Sequence, residues 1–270
     1  MSIILISSDV AETEATIAEK VAEEKEYAPL NRRFLNEVAG RYDIGPERLR
    51  EVLENTPSLL RRMPARQWRY LLACIEAEVL TRLLADNTVC WGLFAHLYVQ
   101  GVSHALRIRV LAGRQEAARI AEQKGILAQK AEKQTADAQK RRRNWSMAAY
   151  QEDEADPARY DLVISLDQID LVEAVRTIVG ASAYRKFQSM TYSTKCLTDL
   201  ALAARVRAEL LKSMADVSVQ ARDGSVVVST RASSRQKRKK VETIKQLAGQ
   251  VQGVGYVEVH AQNSLFKKTP

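Results

Sequence analysis

Residues 3–6, Ile-Ile-Leu-Ile, form an unbroken apolar run, followed by a polar turn, Ser7-Ser8-Asp9, and then a stretch with helical spacing. A strand whose every side chain is apolar must be covered on both faces, the condition of a parallel strand inside an α/β sheet. The first unit therefore reads as strand, turn and helix, with Ile17 and Val21 on the inner side of a helix over 11–24.

The same alternation continues along the chain. Asp43–Asn55 reads as a helix with Pro46 in its first turn, where a missing N–H costs nothing. Arg66–Ala85 carries the clearest helical stripe: Leu71, Leu72, Ile75, Val79, Leu80 and Leu83. Val89-Cys90-Trp91 reads as a short buried strand. Over 106–111 the residues alternate, placing Ile108 and Val110 on one side and Arg107 and Arg109 on the other. Residues 115–143 are polar and helical and end in Lys140-Arg141-Arg142-Arg143; residues 162–166 and 171–178 supply one more strand and helix. Strands alternating with helices imply an α/β domain of three layers around a mostly parallel sheet.

After Val179 the pattern changes. Residues 182–198 are mixed and polar, the composition of a linker or a surface helix. A helix over 200–211, strands at 217–219 and 225–229 around Asp223-Gly224, a helix over 237–251 and a strand at 256–259 make a compact α+β module. The expected domains are 1–180 and 199–262, joined by a linker over 181–198.

Charge narrows the partners. The 270 residues carry a formal net charge of +8, which favours an anionic partner. Much of the excess lies in two runs, 140–143 and 235–240. The second run has no interleaved aromatics, so it gives no strong nucleic-acid signal; a solvated face, or contact with a membrane surface, are its readings. Cys74, Cys90 and Cys196 lack metal-ligand spacing, so no metal site is expected and the thiols read as free and buried. No segment has the length of a membrane span and residues 1–6 are too short for a signal core, so a cytoplasmic location is expected.

Two sets of residues carry resemblances. Ala204–Leu211 (Ala-Arg-Val-Arg-Ala-Glu-Leu-Leu), the strands after it, and Gly253-Val254 followed by Tyr256-Val257-Glu258-Val259 resemble a BON module. That resemblance implies a binding or tethering role, with a protein or membrane-surface partner and no chemistry of its own. Ile17–Glu23, Trp91–Leu97, Gly101–Arg109 and Asp156–Ile164 together resemble the cytidylate kinase-like family, nucleoside monophosphate kinases of the P-loop fold. The implied partner is CMP or another nucleotide, with Mg-ATP as phosphoryl donor only if the kinase reading holds.

At the phosphate loop the sequence departs from the family. Such a loop needs glycines, whose backbone N–H groups converge on the phosphates, and a lysine that reaches them. Here the stretch reads Ser7-Ser8-Asp9-Val10-Ala11-Glu12-Thr13-Glu14-Ala15, with Asp9 and Glu14 in place of the glycines and Ala15 in place of the lysine. Carboxylates there would repel a triphosphate by roughly 1–4 kcal/mol per pair at ~4 Å. Carried over from the resemblance, Arg32 would meet a monophosphate, Arg109 would lie near the base or phosphate unless it is a plain surface arginine, and Lys140, Arg141 and Arg143 would act as lid arginines and lysine unless they are a solvated cluster. His96 and His104 have no serine or carboxylate at relay spacing and read as structural. Trp145 reads as packing, with stacking on a base as the alternative. The leading expectation is a pseudo-kinase; an active CMP kinase and a scaffold that binds no nucleotide are the alternatives.

Overall fold

The computed structural model describes residues 2–58, 63–113, 118, 119, 121, 122, 125, 127–233 and 235–263. Two compact units emerge: Met1–Thr56 with Ala85–Thr194, and Pro57–Leu84 with Lys195–Pro270. The segment 57–84, expected inside the first domain, groups with the C-terminal unit.

The first unit is the α/β domain. It is built from β1 (Ile3–Ser8), α1 (Ala11–Lys25), β2 (Ala28–Leu30), α2 (Leu35–Tyr42), α3 (Pro46–Glu54), β3 (Thr88–Trp91), α5 (Ala95–Tyr98), β4 (Ala105–Leu111), α6 (Ala128–Tyr150), β5 (Leu162–Ser165) and α7 (Leu171–Ser182); α4 (Ala65–Leu83) belongs to the other unit. The strands form one sheet in the order β2-β3-β1-β4-β5, and every pairing is parallel. β1, fully buried, is central, as its unbroken apolar run requires.

One sheet face is apolar. Ile4, Ile6, Leu106, Ile108 and Val110 pack there against Ile17 and Val21 of α1 and Val175 and Ile178 of α7. Asp170 starts α7 with a capping box: its side chain accepts from Glu173 N, and the Glu173 side chain accepts from Asp170 N. Alternation along the strands sends the other residues, among them Ser7, Arg107 and Arg109, to the opposite face. That face carries the polar site.

Some elements differ from expectation. The strand at 28–30 is too short, with Pro29 in the middle, to give a sequence pattern, and proline fits because β2 is an edge strand. Of the expected helix over 115–143, residues 118, 119, 121 and 122 are helical and α6 runs over Ala128–Tyr150; residues 114–117, 120, 123, 124 and 126 lie outside the described residues. The final helix before the module begins at Thr191, well ahead of 200, as α8 (Thr191–Leu211). Its first turns are mostly polar and exposed, so they lack an apolar stripe.

In the C-terminal unit, α8 leads into β6 (Val217–Arg222), β7 (Ser225–Ala232), α9 (Lys237–Gly249) and β8 (Tyr256–Asn263). β6 and β7 are antiparallel, and β8 joins β7 in parallel. The hairpin turns on Asp223 (φ 49°) and Gly224 (φ 81°), the left-handed pair that a tight two-residue turn requires. Leu202, Val206 and Leu210 of α8 close its core with Val226, Val228 and Ile244. The basic run opens α9 and is exposed from Arg235 to Lys239.

Candidate functional site

The polar face of the first sheet is organised by strand register. Ser7 of β1 lies beside Arg109 of β4, and both are buried. The Arg109 guanidinium donates to Ser7 Oγ at 2.9 Å, and Arg142 of α6 donates to the same oxygen at 3.1 Å. Arg142 also holds Glu154 through two bonds, Nε to Oε1 at 2.8 Å and Nη2 to Oε2 at 3.1 Å. Glu154 is brought in from the loop after α6, where Ser146 Oγ accepts its backbone N–H and its carbonyl accepts from Tyr160 OH at 2.6 Å.

Glu14 completes the cluster. It is buried in the first turns of α1, 3.9 Å from Arg142, and its carboxylate accepts from Ser8 N at 3.3 Å. Burial raises its pKa, against the pull of Arg142. For Arg142, burial opposes the charge, but Glu14 and Glu154 more than offset it and hold the guanidinium protonated. Arg109 lies 3.8 Å from Glu154. Further out, Arg32 pairs with Glu54 at 2.7 Å and donates through Nε to Gly92 O at 3.2 Å. Three arginines are thus matched by three glutamates of the chain itself.

An aromatic wall backs the cluster. Phe94, at φ 56° in the left-handed region, presents its ring to Arg142 (4.8 Å) and stacks on Trp145 (4.1 Å). Trp145 is almost fully buried and gives its indole N–H to Val52 O at 2.7 Å. Its ring packs, leaving no face on which a base could stack.

The expected loop residues are placed as follows. β1 ends at Ser8 and α1 begins at Ala11, so Ala11, Glu12, Thr13, Glu14 and Ala15 all lie in the helix. Two donors of the turn are already used, Ser8 N by Glu14 and Val10 N by Ser8 Oγ. Asp9 points elsewhere, accepting from Ala112 N at 2.8 Å and Gln139 Nε2 at 3.1 Å. An ATP triphosphate, which the family implies, needs a glycine nest and finds a helix turn and a buried carboxylate. The residues here do not fit it.

Of the expected basic residues, Arg32 and Arg109 belong to the cluster, and Arg109 is buried, not a surface arginine. Lys140, Arg141 and Arg143 do not: all are exposed, and Arg143 pairs with Asp153 at 2.7 Å. The inward residue is Arg142, which the sequence reading passed over. Its signal was available in helical spacing, since Ala131, Thr135, Ala138, Arg142 and Trp145 fall on one side of α6 and are its less exposed positions. Glu154 and Tyr160 had no such signal, because a loop carries the first and contact alone selects the second.

His104, read as structural, has partners that sequence spacing does not reveal. Sequence spacing offers it no partner, yet the fold supplies a serine and a carboxylate: Nδ1 lies 2.6 Å from Ser193 Oγ and Nε2 lies 3.1 Å from Asp86 Oδ1, the latter off hydrogen-bond alignment. Ser193 is fully buried and its oxygen also accepts from His104 N at 3.2 Å. The arrangement clamps the start of α8 to the entry of β4. Burial lowers the His104 pKa, and keeps it neutral against the pull of Asp86. Cys74 and Cys90 are buried, Cys196 is partly so, and burial raises all of their pKa values, that of Cys74 to about 12. Among the described residues no group of side chains could hold a metal, and no helix is long and apolar enough to cross a membrane.

A five-stranded parallel sheet in this order, with a strand–turn–helix opening onto buried arginines, defines an α/β unit of the P-loop kinase-like class. Residues 3–168, more than half of the chain, match the model of the Cytidylate kinase-like family, and the chain belongs to that family. Among solved structures, an uncharacterized protein from Eubacterium ventriosum ATCC 27560 matches with a TM-score of 0.51 and 16% identity, over 68% of this chain and 100% of that one, a likeness of fold. No curated protein matches the chain.

Proposed function

We propose that this chain is a non-catalytic member of the family, a pseudo-kinase whose first unit serves as a binding module and whose C-terminal unit, resembling a BON module, supplies attachment to a protein or membrane surface. One observation carries the reading: the turn between Ser8 and Ala11 is too tight for a phosphate nest, and Glu14 occupies the Ser8 amide. The arginines that would neutralise phosphates are answered internally by Glu14, Glu54 and Glu154. An anion entering beside Ser7 would have to displace a carboxylate from the largely buried Arg109 or Arg142, whereas the Arg32–Glu54 pair is exposed.

Calorimetric titration of the purified chain with Mg-ATP and, separately, with CMP tests this. The expected result is no heat with Mg-ATP and no ADP release above buffer in the presence of both. Binding of CMP alone fits a surviving acceptor side and a sensor role. Turnover abolished by Arg32→Ala would restore the kinase reading.

A further inference from the structure

A second polar cleft lies on the same sheet face, lined by His96, Gln100, Gly101, Arg107, Asp156, Ala158 and Arg159. Its volume is about 330 Å³, within the small-ligand range. Arg107 lies one pleat along β4 from Arg109, so the cleft is separate from the Ser7–Arg142 cluster.

Two polar groups here lack partners. His96 is 5% exposed, and its Nε2 is buried without a hydrogen bond. Arg159 pairs with Glu152 through Nη1, and its Nε is likewise buried and unpaired. A buried polar group without a partner costs roughly 1–3 kcal/mol, so two beside one cleft point to a ligand that pairs them. The lining and neighbouring carboxylates are already engaged. Asp156 accepts from Ala158 N, Asp161 from Arg107 and Lys186, and Glu152 from Gln100 and Arg159.

From this geometry we infer that the cleft binds a small oxyanion of the phosphate class, with the Arg107 and Arg159 guanidiniums as its charged partners and His96 as a neutral one. Burial lowers the His96 pKa, and the nearby guanidiniums of Arg142, Arg109, Arg107 and Arg159 lower it further, so the ring stays neutral. The planar guanidiniums of Arg107 and Arg159 suit the paired oxygens of a phosphate. The inference stands apart from the question of phosphoryl transfer, because it uses neither Ser8 nor Glu14.

The test uses the full chain and inorganic phosphate, followed by long-range proton–nitrogen spectra of the histidine rings. The chain has three histidines, so single substitutions assign the signals. Phosphate should shift the His96 ring signals saturably and leave those of His260 in place. Arg159→Gln should weaken binding about tenfold or more, the scale of one charge-assisted hydrogen bond. Ala158→Glu, at an exposed position, should do the same by setting a carboxylate in the cleft without touching the fold. Arg238→Gln, in the basic run of the C-terminal unit, should change nothing. A parallel titration with glycerol phosphate separates the sources: tighter binding than phosphate indicates a phosphomonoester, equal binding the free ion. His96 signals that do not move with either probe, or that move equally in Ala158→Glu, would overturn the inference.

Discussion

Glu154→Gln is the sharpest probe of the buried cluster. The Glu154 side chain is 2% exposed and takes both of its close bonds from Arg142, with Arg109 at 3.8 Å. The glutamine keeps the shape and one acceptor oxygen but removes the charge, leaving two buried guanidiniums facing Glu14, whose own carboxyl already resists ionisation. Breaking a buried ion pair costs about 3–5 kcal/mol, and the retained acceptor returns about 1 kcal/mol, so a loss of about 2–4 kcal/mol is expected. In a unit of this size that lowers the melting temperature by about 4–16 °C. Urea unfolding followed by tryptophan emission reads the loss directly, because Trp145 stacks on the ring that covers Arg142. A second arm asks whether the carboxylate stands in for an anion: phosphate should stabilise Glu154→Gln more than the parent chain, since anions bound elsewhere act on both alike. A loss below about 1 kcal/mol, or equal phosphate stabilisation of both proteins, would refute the reasoning.

Other perturbations follow from the same structure. Trp145→Phe should cost about 2–4 kcal/mol by leaving Val52 O unpaired and opening a void, measured by urea midpoint. Ser193→Ala should cost about 1–3 kcal/mol, because both His104 N and Nδ1 lose their partner. Stability should fall with acid below about pH 6.5: His96 and His104 are buried and neutral, so the unfolded chain binds more protons there, worth up to about 1.4 kcal/mol per pH unit for each ring. Glu14 acts in the opposite sense between its ordinary pKa and its raised one, so the clean reading is a shallower slope in His96→Asn than in the parent; equal slopes would contradict the assignment. Gly113→Ala should destabilise by about 1–3 kcal/mol in thermal melts, since φ is 72° and a Cβ would meet the Asp167 carboxylate.

The layers of this fold are legible in the sequence because burial on both faces leaves a run such as Ile3–Ile6 no other use, and because Ile108 and Val110 alternate with Arg107 and Arg109. β2 is hidden because a three-residue edge strand is shorter than any period, and the first turns of α8 because their exposed face needs no apolar stripe. The site is legible only in part. The missing glycines mark the place, and Arg32 and Arg109 fall within it. Lys140, Arg141 and Arg143 show why a basic run misleads: in a helix successive residues point in different directions, so at most one side of a four-residue run faces inward. Arg142 is that residue, and helical spacing selects it where charge does not.

What spacing cannot give is the counter-charge. Glu154 reaches Arg142 from a loop, Glu54 reaches Arg32 from the end of α3, and Glu14 reaches Ser8 N only because α1 begins directly after the turn. These contacts bear on function together. A phosphate site has to leave polar nitrogens unpaired, so that the ligand completes them; a buried arginine whose charge is already matched by carboxylates of the chain is held in place as part of the fold. The two polar regions of this sheet face differ in that respect. The guanidiniums of both regions have carboxylates, Arg107 with Asp161 and Arg159 with Glu152 in the second, but around His96 two buried nitrogens, His96 Nε2 and Arg159 Nε, have no hydrogen-bond partner. Unpaired buried nitrogens, more than the number of arginines, therefore mark the region open to an anion.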